Sequence, residues 1–190
     1  MKKFLSFIKI IRPLNVLSSG VAILFSSFIS DYQGPLEQIL MPILVVVFFT
    51  IGANVLNDYF DYDTDKINRP DRSIVKGDIT REQALYLSLI SFIIGIYFAL
   101  RLSSDSQIIS LGISLPLLFL YNAKIKNYPL IGNIIVSIII GLSFIYAGVV
   151  FENVKPLIVP SLLAFGLTLI REVVKDIADF KGDEAIGART

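Results

Sequence analysis

The chain has 190 residues, 54% of them hydrophobic, with a mean hydropathy of +0.72 and seventeen Lys and Arg against sixteen Asp and Glu. That hydropathy is far above a soluble domain and marks a membrane protein, and the near-neutral charge gives no reason to look for nucleic acid. With no cysteine and no histidine, disulfides, thiolate chemistry, histidine general-base catalysis and the usual zinc hydrolysis are excluded, so any metal must be a hard cation bound by oxygen: magnesium, manganese or calcium.

At the N-terminus, Lys2 and Lys3 precede a helical stripe of Phe4, Phe7, Ile8 and Ile11, with Lys9 on another face. This pattern predicts a short interfacial helix, not a cleavable signal, and Arg12-Pro13 interrupts it. Six apolar stretches follow, at about 14–30, 39–60, 81–101, 107–122, 130–151 and 157–178, most near the roughly 20 residues that cross a bilayer. Polar or Pro/Gly-containing breaks separate them at 31–35, 61–80, 103–106, 127–129 and 153–156. Thr80 with Gln83 predicts a capping box at the start of the third span, and Pro116 a kink in the fourth. Gly95, Gly112, Gly141, Gly148 and Gly166 are expected at helix-packing positions. The fold class is therefore all-α, a polytopic transmembrane helix bundle. With no linker or low-complexity segment, residues 1–190 read as one membrane domain.

Charge sets the expected orientation. Four cations precede the first span, five lie between the second and third, two (Lys124 and Lys126) between the fourth and fifth, and four (Arg171, Lys175, Lys181 and Arg189) end the chain. Only Arg101 and Lys155 fall on the other side. The positive-inside rule places the N-terminus and the cation-rich loops in the cytoplasm of a multi-pass cell-membrane protein.

Two acidic sets fall on that same side. Asn57, Asp61 and Asp65 are spaced i, i+4, i+8 on one helical face, with Asp58 beside it and Asp63 pointing away. Glu172, Asp176, Asp179 and Asp183 follow i, i+4, i+7, i+11, again one face. Carboxylates beside a bilayer are costly, and a bound cation would relieve their repulsion. The plainer reading of the first set is a solvated acidic helix end neutralised by Lys66 and Arg69. For the second it is a juxtamembrane charged face partnered by Arg171 and Lys175. Arg69, Arg72, Lys124, Lys126 and Lys175, with Tyr121 just before the lysine loop, would neutralise the free oxygens of a diphosphate held by metal. Their competing explanation is topology, since cytoplasmic loops collect cations.

Asn57-Asp-x-x-Asp61-x-x-x-Asp65 resembles the first signature of the UbiA family of intramembrane prenyltransferases, and Asp179-x-x-x-Asp183, with Asp176 upstream, resembles the second. Arg12-Pro13-x-Asn15 is similar to the family's entry into its first helix. The resemblance covers essentially the whole chain. It implies a nine-helix fold around a central cavity, of which six helices are here and the C-terminal ones are expected to lie beyond these residues. It also implies magnesium as cofactor, held by Asn57, Asp61, Asp65, Asp176, Asp179 and Asp183, with Asp61, Asp65, Asp179 and Asp183 as catalytic residues. Asp58, Arg69, Arg72, Tyr121, Lys124, Lys126 and Lys175 would bind substrate. Within the family, Asn68-Arg-Pro-Asp-Arg72, Gly77-Asp-Ile-Thr80 and the run from Arg171 to Asp183 look most like the archaeal branch that makes digeranylgeranylglyceryl phosphate. Ser73-Ile-Val75-Lys76 departs from that branch's proline-rich stretch, and the family's lysine matches Lys126 better than Lys124.

The expected reaction is transfer of a geranylgeranyl group from geranylgeranyl diphosphate to a lipid-like acceptor, geranylgeranylglyceryl phosphate, at the membrane lipid. Lys76, Lys124 and Lys175 are spare cations for the acceptor's own phosphate. Prenylation of an aromatic or quinone precursor is the enzymatic alternative. A divalent-cation transporter is the alternative from another class, since acidic faces between helices also line ion pathways.

Overall fold

The computed structural model describes residues 2–128 and 130–185, with side chains for all of these but Lys2, Lys3, Asn127 and 178–185. Every regular element among them is helical, as expected. The chain divides into two compact units: Met1–Leu24 with Gly34–Leu102, and Phe25–Gln33 with the chain from Ser103 onward.

The first unit holds α1 (Lys2–Ile11), most of α2 (Pro13–Ile29), α3 (Leu36–Phe60), α4 (Tyr62–Asn68) and α5 (Arg81–Ala99). α1 and α2 meet at 47°. Pro13 disfavours helical backbone at the residue before it, and Arg12 takes φ 59°. The Asn54 amide of α3 donates to the Ile11 carbonyl at 2.9 Å, satisfying a group that the break releases. α1 buries Ser6 and Ile10, with Phe7 and Ile11 packed partly beneath it. Phe4, Leu5 and Ile8 face outward, as an interfacial helix requires.

α3 and α5 pack by reciprocal insertion of rings into glycine gaps. A Cβ at Gly52 would lie 2.9 Å from Phe92, and one at Gly95 2.5 Å from Phe49. The two rings meet edge-on with centroids 6.0 Å apart. Ser88 Oγ, fully buried, donates to the Gly52 carbonyl at 2.9 Å. Small residues thus bring these backbones together, as expected between membrane helices.

The connection from α4 to α5 is anchored. Ile74 and Ile79 are buried with Ile10, Val55 and Ala84. Gly77, at φ 76°, lets the chain turn so that Asp78 and Ile79 N–H groups both reach the Ser73 carbonyl. Ser6 Oγ donates to Asp78 at 2.9 Å. Thr80 and Gln83 form the predicted reciprocal capping box of α5.

The second unit holds α6 (Ser104–Gln107), a π-helical run Ile108–Ser114, α7 (Leu115–Ala123), α8 (Ile131–Val150) and α9 (Ile158–Ala185). The fourth span is irregular directly ahead of Pro116, where the turn widens to a π-helix. Proline has no N–H for the preceding turn and its ring crowds the carbonyl four residues back. α8 and α9 approach at Gly141, whose Cβ would lie 3.0 Å from the Ser161 carbonyl and whose own carbonyl accepts from Ser161 Oγ at 2.9 Å. Gly95, Gly141 and Gly148 are packing positions as expected. Gly112 and Gly166 are not, since among the described residues nothing lies within 4 Å of a Cβ at either.

Among the described residues, five helices or helix runs are long and apolar enough to cross a membrane: Leu36–Phe60, Arg81–Ala99, Ser104–Ala123, Ile131–Val150 and Lys155–Ile177. The bent pair of α1 and α2 makes a sixth candidate. These match the predicted spans to within a few residues at most ends.

Gly95→Ala must displace the Phe49 ring and is expected to cost about 1–3 kcal/mol. Gly166→Ala, with open space and a better helix former, should be neutral or stabilising by up to about 1 kcal/mol. Thermal unfolding of the two detergent-solubilised variants checks the pair; equal melting temperatures would refute the ring-into-glycine packing.

Candidate active site

The first acidic set straddles a break in the helix. α3 ends at Phe60, Asp61 leaves helical backbone at ψ 5°, and α4 begins at Tyr62. The face survives the break. The Asp61 N–H donates to the Asn57 carbonyl at 2.9 Å and the Asp65 N–H to the Asp61 carbonyl at 2.7 Å. Asn57, Asp61 and Asp65 therefore keep the four-residue stacking that the sequence predicts.

Asp58 and Asp65 are buried, 3% and 6% exposed. The solvated-helix-end reading fails on those two numbers. Of the partners that reading named, Arg69 does act on Asp65, whereas Lys66 pairs at 2.9 Å with Asp63, the exposed residue off the face. That contact holds the Asp63 carboxyl below its usual range. Other cations also reach the buried carboxylates. Arg72 bonds Asp58 through Nη1, with Nε 3.9 Å from Asp65. Arg12 Nη2 donates to Asp58 at 2.6 Å and to Asn57 Oδ1 at 3.2 Å. Burial pushes the Asp65 carboxyl above the usual carboxylate range against the pull of Arg72, and Asp61 and Asp58 push the same way as burial.

Arg12 is the residue that sequence reasoning missed as a site member. Its signals were the Arg-Pro break and the likeness of Arg12-Pro13-x-Asn15 to the family's first-helix entry, and neither says where the guanidinium goes. Lys76, expected as a spare cation, pairs with the exposed Asp71 at 2.7 Å.

The second acidic set lies on α9, in the other unit. Glu172 is buried and held by Arg171 and by Lys175 at 3.4 Å, the partners that the plainer reading named. Lys175 is thus engaged by a carboxylate. Asp176 accepts from Asn133 of α8 at 2.6 Å, a partner that the sequence did not single out. The side chains of Asp179 and Asp183 lie outside the described residues. Tyr121 is half-buried near the end of α7, Lys124 is exposed just after it, and Lys126 is half-buried in the short 3₁₀ turn that follows.

Among the described residues no three acidic side chains gather closely enough to hold a metal ion. The donor chemistry of the first set nonetheless fits a hard divalent cation. Its side chains offer only oxygen ligands on one face, and Asp65 carries its charge against burial and two like charges, a penalty a cation would relieve.

Comparison with known proteins places this geometry. The UbiA prenyltransferase family profile matches residues 19–190. Digeranylgeranylglyceryl phosphate synthase of Pyrococcus horikoshii is 37% identical over 187 residues, 97% of this chain and 67% of that protein. The synthases of Thermococcus kodakarensis and Methanothermobacter thermautotrophicus are 35% and 37% identical, with 68% and 64% of their lengths covered. A solved structure described as giving insight into digeranylgeranylglyceryl phosphate synthase in membranes superposes over the whole chain with a TM-score of 0.86 at 31% identity, covering 68% of that protein. The chain thus spans about two thirds of the length of the relatives it matches. With the signature residues in sequence order and the fold in common, this chain belongs to the UbiA family of membrane prenyltransferases.

Proposed function

We propose that the protein transfers a geranylgeranyl group from geranylgeranyl diphosphate to geranylgeranylglyceryl phosphate, forming an archaeal ether-lipid precursor. The observation that carries the reading is the 37% identity, over 97% of the chain, to an enzyme named for that product. The family sets aside the ion-transporter alternative. The run from Arg171 to Asp183 and the Asn68 to Arg72 segment favour a glyceryl phosphate acceptor over an aromatic one.

Asn57, Asp61 and Asp65 would hold magnesium, as would Asp176, Asp179 and Asp183, in one membrane domain spanning residues 1–190. Bound there, magnesium would neutralise charge on the diphosphate as it leaves. The chain's own contribution begins with the break at Asp61, which carries the acidic face out of the apolar α3 into a polar loop. Arg72, fixed by Asp58, adds positive charge beside that face, and Arg69, Tyr121, Lys124 and Lys126 are the further candidates for diphosphate oxygens. The C1–O bond of the donor breaks and its electron pair leaves with diphosphate. Apolar helix walls keep water from the allylic cation. The acceptor hydroxyl oxygen then bonds C1, and its proton passes to a carboxylate or to the released diphosphate. The charge count places this end of the protein, with the N-terminus, on the cytoplasmic side.

Labelled geranylgeranyl transfer by the purified protein tests the reading. Activity with geranylgeranylglyceryl phosphate is expected to vanish in chelator and return with magnesium or manganese. Asp61→Ala should lower the rate about a thousandfold or more, the loss of several kcal/mol of transition-state stabilisation. Asp63→Ala, off the face, should leave it nearly unchanged. Full activity of Asp61→Ala in chelator would sink the mechanism. Transfer to 4-hydroxybenzoate but not to the glyceryl phosphate would sink the acceptor assignment alone.

A further inference from the structure

The hinge at Arg12 separates two cavities of opposite character within the first unit. On one side a cavity of about 200 Å³ is lined by Lys9, Ile10, Arg12, Asp58, Arg72 and Ser73. On the other an open apolar groove of about 430 Å³ runs along α2 and α3, its wall including Ile11, Pro13, Val16, Gly20, Val21 and Val47. Residues 10 and 12 line the first and residues 11 and 13 the second, so the head of the groove abuts the cavity.

The polar cavity carries three cations against one carboxylate. Arg12 and Arg72 both spend hydrogen bonds on Asp58. Lys9, on an exposed position of α1, makes one long contact of 3.4 Å to the Asp71 carbonyl; the Asp71 carboxylate is held by Lys76. Arg72 is shared with Asp65, so with both carboxylates counted one positive charge remains at the lining, which attracts an anionic group such as a phosphate monoester, at about −1.5 to −2 near neutral pH. Arg72 also approaches Asp65, so an anion in this cavity would sit one guanidinium away from the acidic face.

We propose that this cavity binds the phosphate of the isoprenoid glyceryl phosphate acceptor and that the groove along α2 holds its hydrocarbon tail. The assignment rests on the acceptor reading above and relocates its phosphate. Lys76 and Lys175, expected to serve it, are paired with Asp71 and Glu172, whereas Lys9 and Arg12 face a cavity with charge to spare. The donor's diphosphate is assigned to the carboxylate face, where a metal would accompany it.

Equilibrium binding of labelled geranylgeranylglyceryl phosphate to the purified protein in nanodiscs, with chelator present, tests the proposal. Lys9→Glu is expected to weaken that binding by about tenfold or more, the scale of one charge-assisted hydrogen bond. Lys9→Arg should stay within about twofold of the parent, because the cation is kept. Geranylgeranylglycerol, which lacks the phosphate, should bind both variants and the parent alike, and Val16→Trp, which fills the groove, should weaken both lipids. Absence of geranylgeranylglyceryl phosphate binding to the parent, equal binding to parent and Lys9→Glu, or a Lys9→Glu loss confined to geranylgeranyl diphosphate would each overturn it. Lys9-dependent binding of the glyceryl phosphate without its prenylation would instead refute the acceptor reading and leave the phosphate cavity standing.

Discussion

Asp58 is the fixed point of the first unit. A carboxylate at 3% exposure at the end of a membrane helix is untenable without cations beside it. Two guanidiniums supply them, from positions 46 residues before it and 14 residues after it. Through that one side chain, the N-terminal hinge, the end of α3 and the loop before α5 are tied together. A buried charge with two partners is a demanding arrangement, because removing either cation leaves the other to carry the desolvation penalty alone.

Much of the local structure follows from meeting that demand. Arg12 sits in left-handed backbone, which costs a non-glycine residue on the order of 1–3 kcal/mol. Pro13 closes off the helical alternative, and Asn54 takes up the carbonyl freed at Ile11. Arg72 is held by its neighbours: Ser73 and Ile74 are buried, and the Ile74, Ile79, Ile10 cluster pins the loop to α1 and α3. The guanidiniums that hold Asp58 also line the adjoining cavity, where the phosphate of the acceptor is proposed to bind.

What the sequence made legible is what repeats with a helical period or depends on near neighbours. The spans, the Thr80–Gln83 capping box, the stacking of Asn57, Asp61 and Asp65, and the outward position of Asp63 are all local properties, and all are seen. The pairing of Arg12 with Asp58 spans 46 residues and has no period, so no spacing argument could find it. The same holds for Asn133 with Asp176, 43 residues apart. Gly112 and Gly166 were misread because a small residue inside a span marks close packing only when a neighbour fills the gap. The helix ends at Phe60, where the predicted polar stretch 61–80 begins, and the hydrogen-bond step from Asn57 to Asp61 to Asp65 continues across the break.

The central claim is that Asp58 and Arg72 act as one unit that organises the loop beside the acidic face. A double-mutant cycle with Asp58→Asn, Arg72→Gln and the double variant, followed by mixed-micelle unfolding, measures it most directly. The account predicts a coupling of about 1–3 kcal/mol, with the double variant closer to the parent than the sum of the single effects. Single effects that add to within about 0.5 kcal/mol would show the two residues to be independent and would contradict it.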